Sequence, residues 1–157
     1  MKVLVTGGGG FIGGAICRAL LARGDEVISY QRSASPKLEK LGATAIRGCI
    51  TDAGLLGESL SGVDAVIHTA AKAGLSVRYD DFYRPNVIGT RNVIDACIEN
   101  RINKLVFTSS PSVTHADGDV EGGDESLPYA KKYNSPYPAT KAISEQMVMD
   151  AHSRDLH

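Results

Sequence analysis

Residues 5–16 read VTGGGGFIGGAI, and whether this run is a slack linker or a built turn decides the fold. It follows KVLVT at residues 2–6, a short apolar stretch of strand character. It leads into FIGGAICRALLARG, where Ile12, Ile16, Ala19 and Leu20 recur at helical spacing before Gly24 marks a stop. A strand, a glycine run and an amphipathic helix in succession make a turn rather than a tether. Gly7, Gly10 and Gly13 keep the spacing GxxGxxG, so backbone N–H groups and the helix N-terminus can meet a pyrophosphate where no β-carbon stands in the way. No GK[ST] follows, which argues against a triphosphate loop.

The same alternation continues outward. EVISY, ATAIR, DAVIHTA and KLVFTS read as four further strands, each short and apolar in the manner of buried parallel strands. Asp52 is placed to cap a helix through Leu60. NVIGTRNVIDACIEN puts Val87, Thr90, Val93, Ile94, Cys97 and Ile98 on one side of another, and a last helix runs from near Tyr137 towards His152. The expected fold is α/β: a doubly wound parallel sheet of Rossmann type, strand order 3-2-1-4-5, with right-handed crossovers. Residues 112–136, rich in Asp, Gly, Ser, Pro and Tyr, break the pattern and read as a functional loop or lid.

Composition narrows the partners. With 17 basic and 18 acidic residues the formal charge is −1, which gives no electrostatic reason to expect nucleic acid or an anionic membrane. No apolar run reaches the roughly 20 residues needed for a membrane span, and Met1 to Thr6 lacks the apolar core of a secretory signal. Cys17, Cys49 and Cys97 form no CxxC and read as reduced thiols, so a cytoplasmic location is expected. His68, His115, His152 and His157 have no metal-ligand spacing, and no metal site is expected. His68 reads as a packed or hydrogen-bonded core residue.

Two stretches carry the chemistry. After strand 2, where a carboxylate would hold the adenosine ribose of NAD, stands YQRSAS, with Gln31, Arg32 and Ser33. A cation beside a hydroxyl suits a 2′-phosphate, so the cofactor expected is NADP(H), with NAD(H) as the alternative. At the end of strand 5 stands TSSPS, and further on YPATK. Tyr137 and Lys141 lie one helical turn apart, where an ammonium beside a phenol favours its ionised form and so proton transfer near neutral pH. Ser110 is placed to hydrogen-bond the substrate oxygen that Tyr137 protonates, with Ser109 and Ser112 as rivals.

Taken in order, TGGGGFIGG, HTAA, NVIGTRNV, FTSS and YPATK resemble the extended short-chain dehydrogenase/reductase superfamily over almost the whole chain. TSSPSVTH, HTAAKAG and YQRS most resemble its 3β-hydroxysteroid dehydrogenase-like branch, whose bacterial members include reductases of 2-alkyl-3-oxoacids. The resemblance implies Ser110, Tyr137 and Lys141 as the catalytic set. It adds Asn86 as the asparagine that holds the active-site helix, and Lys141 also as a ligand of the nicotinamide ribose. It places Gly7, Gly10, Phe11, Ile12 and Gly13 along the pyrophosphate, and Ala70, Ala71 and Lys72 on the ribose side.

Two departures stand out. GCITD replaces the family's GDxxD after strand 3, so Cys49 occupies the adenine-binding aspartate position and the Ile50 backbone is left to serve. Family chains also run to about twice this length, adding strands and a substrate domain. Residues 1–157 therefore read as an incomplete dinucleotide-binding domain, and little turnover is expected of this stretch alone. The resemblance further implies a homodimer through the helices near 86–100 and 137–152. The activity expected is ketone–alcohol interconversion on a 2-alkyl-3-oxoacid or 3β-hydroxysteroid-like substrate. The alternatives are an NAD-dependent nucleotide-sugar epimerase or dehydratase, and a non-enzymatic NADP(H) sensor.

Overall fold

The computed structural model describes residues 1–74, 78–114, 120–152 and 156. The five apolar runs become β1 (Lys2–Thr6), β2 (Glu26–Gln31), β3 (Thr44–Arg47), β4 (Ala65–His68) and β5 (Leu105–Phe107). They form one parallel sheet in the order β3-β2-β1-β4-β5, as expected. The register sets Thr6 beside both Tyr30 and His68, and His68 beside Phe107. The carboxyl ends of the three central strands are thus level, and the loops that follow them open on one edge.

The central strands are mostly apolar because both of their faces are covered, whereas the edge strands β3 and β5 are partly exposed, Val106 of β5 among them. Along β1, Leu4 joins Ile28, Val66, Val93, Cys97 and Leu105 on one face. Val3 and Val5 join Cys17, Leu20, Val27 and Leu38 on the other. The second face is covered by α1 (Phe11–Ala22) and α2 (Pro36–Lys40); the first is covered by α3 (Ala53–Ser59), α5 (Gly89–Glu99) and α6 (Pro136–Ala151). Asp52 caps α3, its Oδ1 accepting the Leu55 N–H at 3.3 Å.

Three local differences from expectation have physical causes. The buried stripe of α1 is Gly13, Gly14, Cys17 and Leu20, while Ile12 and Ala19 are exposed. The helix lies so close to the glycine turn and the sheet that its small residues face inward, and the apolar spacing of Ile12 misleads. In α5 the expected face is buried except for Ile98. Upstream of it stand α4 (Tyr79–Tyr83) and a π-helical turn at Arg84–Ile88, neither of which the apolar periodicity shows. Pro85 lacks the N–H that a regular α-helical ladder would use, and the widened turn is its local consequence.

The expected loop begins with a short 3₁₀ turn at Pro111–Val113; residues 115–119 lie outside the described residues. Its later part is fastened back. The Ala130 N–H and the Tyr133 hydroxyl both donate to the Val113 carbonyl, at 3.1 and 2.8 Å. Among the described residues no helix is long and apolar enough to cross a membrane.

Candidate functional site

The turn between β1 and α1 is held by its own backbone. The Gly7 N–H donates to the Tyr30 carbonyl and the Gly10 N–H to the Gly7 carbonyl, each at 2.8 Å. Gly7 sits at φ +72°, the left-handed region, where a β-carbon would also stand 3.0 Å from the Ala70 backbone. At Gly13 a β-carbon would fall 2.3 Å from the Gly7 carbonyl oxygen. Both glycines are therefore required by contact, one by conformation as well. No side chain caps the N-terminus of α1, whose first N–H groups stay open to an anion.

Beside this turn lies a cleft of about 730 Å³. Its walls include Gly7, Gly10, Arg32, Ser33, Ile50, Ala70, Ala71 and Lys72, all expected from the sequence. Gly13 instead lies buried under the turn, and Phe11 and Ile12 project outward from the first turn of α1. Cys49 lines the cleft, its Sγ 3.1 Å from the Thr51 hydroxyl. Tyr30 and Gln31 also line it and were not singled out as site residues from the sequence. Gln31 is 9% exposed, its Oε1 accepts from the Ser29 hydroxyl, and its Nε2 has no partner among the described residues. An amide nitrogen buried without an acceptor is a costly arrangement.

Of the expected reacting groups, Lys141 and Ser110 stand at the carboxyl end of β5, and none of the three lines this cleft. Lys141, buried on α6, donates from Nζ to the Thr108 carbonyl at 2.7 Å and stands 3.9 Å from the centroid of the Phe107 ring. Burial lowers its pKa to about 8, and the nearby Glu145 carboxylate works in the opposite direction. Tyr137, one turn earlier, sets its ring edge against Phe82 of α4. Ser110 Oγ lies 2.8 Å from Ser112 Oγ and accepts the Ser112 N–H at 3.3 Å, so these two serines form one unit. The Ser109 hydroxyl is taken by Glu145, whose other oxygen accepts from Tyr129 at 3.0 Å.

Asn86 is not at the reacting edge. It sits buried in the π-helical turn and ties three segments together. Its Oδ1 accepts the Lys72 N–H at 2.7 Å, and its Nδ2 donates to the Lys72 carbonyl at 3.1 Å and to Thr140 Oγ1 at 3.0 Å. Its own carbonyl accepts the Thr90 and Ser144 hydroxyls. The cleft wall at residue 72 and helix α6 are thereby fixed to one side chain. His68 is buried among hydroxyls, as read; His115 and His157 lie outside the described residues. Among the described residues no group of three His, Cys, Asp or Glu side chains is arranged to hold a metal ion.

Known proteins resemble this chain along nearly its whole length. The chain is 49% identical, over an alignment of 158 positions, to 2-alkyl-3-oxoalkanoate reductase of Stenotrophomonas maltophilia, covering 99% of this chain and 48% of that protein. It is 45% identical to the Shewanella oneidensis reductase of the same name, covering 94% of this chain and 38% of the relative. DesIV, a dTDP-glucose 4,6-dehydratase from Streptomyces venezuelae with NAD and TYD bound, superposes with a TM-score of 0.86 at 32% identity. That match covers 98% of this chain and 52% of DesIV. The chain thus spans less than half the length of these two curated relatives. The family model for 3-beta hydroxysteroid dehydrogenase/isomerase matches residues 4–157, so the chain belongs to that family.

Proposed function

We propose that this chain is the dinucleotide-binding portion of an NADP(H)-dependent oxidoreductase that interconverts a ketone and a secondary alcohol. The carrying observation is that Arg32 and Ser33 line one cleft with the glycine turn. Gln31 puts no carboxylate beside Arg32, and the Ser33 hydroxyl offers a donor there. Donors beside a guanidinium suit a ribose phosphate, whereas ribose hydroxyls are more often held by a carboxylate acceptor. The uncapped α1 N-terminus and Gly7, Gly10 and Gly13 suit the pyrophosphate, and Ala70, Ala71 and Lys72 the second ribose.

When bound, the dinucleotide would supply the hydride. The chain's own residues do the rest. Tyr137 gives its phenolic proton to the carbonyl oxygen, or takes it back in the reverse direction. Ser110 donates a hydrogen bond to that oxygen, and Lys141 places positive charge beside Tyr137. Asn86 acts as a positioning residue, because its side chain is spent on Lys72 and Thr140. For the whole enzyme the likeness to the two reductases supports a 2-alkyl-3-oxoacid as substrate. A location in the cytoplasm and pairing of two copies through α5 and α6, where Ile98 and Met149 are exposed, complete the reading.

The test is loss of NADPH absorbance on adding a 2-alkyl-3-oxoacid, followed with the 157-residue chain and with a chain extended to the relatives' length. Turnover by the longer chain that falls at least about a hundredfold in Tyr137→Phe is expected; turnover unaffected by that change would refute the assignment. A second reading, an NAD-dependent nucleotide-sugar epimerase or dehydratase, is favoured by DesIV and its bound NAD. Reaction of a nucleotide sugar with no oxidation of added NADPH would support it.

A further inference from the structure

His68 is buried at the end of β4, with Thr6 on one side of its ring and Thr90 on the other. Its neighbours decide where its proton sits. The Thr90 hydroxyl has one hydrogen and donates it to the Asn86 carbonyl at 2.5 Å. Facing His68 Nε2 at 3.0 Å it can only accept, so Nε2 carries the hydrogen. Burial, reinforced by the charge of Lys141, lowers the imidazole pKa to about 3. The ring is therefore neutral, and Nδ1 is a lone pair that accepts from Thr6 Oγ1 at 2.6 Å. Thr6 Oγ1 in turn accepts the Ala70 N–H at 3.2 Å.

The result is a one-way chain from the Ala70 amide through the Thr6 hydroxyl, His68 and the Thr90 hydroxyl to the Asn86 carbonyl. The opposite tautomer would set two lone pairs against each other at Thr90. The ends of the chain are the informative part. Thr6 precedes Gly7, Ala70 stands in the cleft wall, and Asn86 clamps Lys72 and Thr140.

We propose that His68 is a positioning residue: as a neutral imidazole protonated at Nε2 it fixes the cleft wall at residues 70–72 against the turn that carries Asn86 and, through it, α6. The consequence for Tyr137 and Lys141 rests on the function proposed above; the mechanical claim does not. Two measurements on the 157-residue chain test it. Long-range 1H–15N NMR should show Nε2 protonated and Nδ1 bare, unchanged between about pH 5 and pH 8. The other tautomer, or a titration in that window, would overturn the proposal.

Amide hydrogen exchange then separates positioning from packing. The Lys72 N–H is held by Asn86 Oδ1, yet His68→Phe should speed its exchange about tenfold beyond any general rise, and His68→Gln, which restores one donor and one acceptor, should recover part of the loss. Unchanged Lys72 exchange would overturn the proposal. So would a uniform acceleration of all core amides, which is what a residue that only fills space would give. Neither readout needs a bound dinucleotide, so a failure to bind NADP(H) would count against the proposed function and leave this result standing.

Discussion

Replacing Gly13 by Ala probes the contact on which the glycine turn depends. The new β-carbon would lie 2.3 Å from the Gly7 carbonyl oxygen, 2.8 Å from its carbon and 2.8 Å from Thr69 Oγ1. Two of these are backbone atoms, so relief requires α1 or the turn to move by roughly an ångström, a strain of about 1–3 kcal/mol. Ala also favours helix over Gly by about 1 kcal/mol in a helix interior, but the first turn of α1 gains less than that. For a domain of this size each kcal/mol shifts Tm by about 2–4 °C, so Gly13→Ala should melt several degrees below the parent. Gly57→Ala is the control. It lies in α3 with nothing within 4 Å of the added carbon, and it should melt at or slightly above the parent. Differential scanning calorimetry of the three chains reads the comparison directly, and NADPH titration should show Gly13→Ala weakened as the turn opens. A Gly13→Ala chain as stable as Gly57→Ala, with unchanged cofactor affinity, would refute the contact argument.

Other expectations follow from burial. Because the folded pKa of Lys141 is about 8 against the ordinary lysine value of 10.5, the unfolded chain binds more protons between those values. The contribution of this group to stability should therefore rise with pH across that window, and Lys141→Met should flatten the rise in denaturant midpoints. Glu145→Gln removes the carboxylate that opposes burial, so NMR titration of the Lys141 side chain should show its pKa lower still; an unchanged or higher value would contradict this. Burial pushes the Cys97 thiol up to about 12 and raises Cys17, whereas Cys49 is half-buried in the cleft wall. A thiol-reactive probe should label Cys49 first, and saturating NADPH should slow that labelling. Faster labelling of Cys17 or Cys97, or no protection, would contradict the placement.

What the sequence made legible was whatever depends on order along the chain. Strand order, the turn at Gly7 to Gly13 and the Asp52 cap follow from local pattern and connection rules, while the placement of residues 70–72 beside the cofactor comes only from the family resemblance. What it hid depends on contacts between distant segments. Ile12 has the right spacing for a core position and is exposed, because glycines bring α1 too close for a larger residue to face inward. Gln31 differs from an ordinary polar strand end only in that Ser29 holds its oxygen and leaves Nε2 bare. His68 and Thr90 are 22 positions apart and meet only across the β4–α5 crossover. The π-helical turn had one visible signal, Pro85 ahead of Asn86, which helical periodicity alone does not read.

The decisive measurement is parallel titration of the 157-residue chain with NADPH and NADH by fluorescence or calorimetry. Arg32 and Ser33, if they hold a ribose phosphate, should make NADPH bind at least about tenfold more tightly, the equivalent of one charge-assisted hydrogen bond. NADP(H) binding tenfold weaker than NAD(H), or binding of neither, would contradict the reading of this cleft.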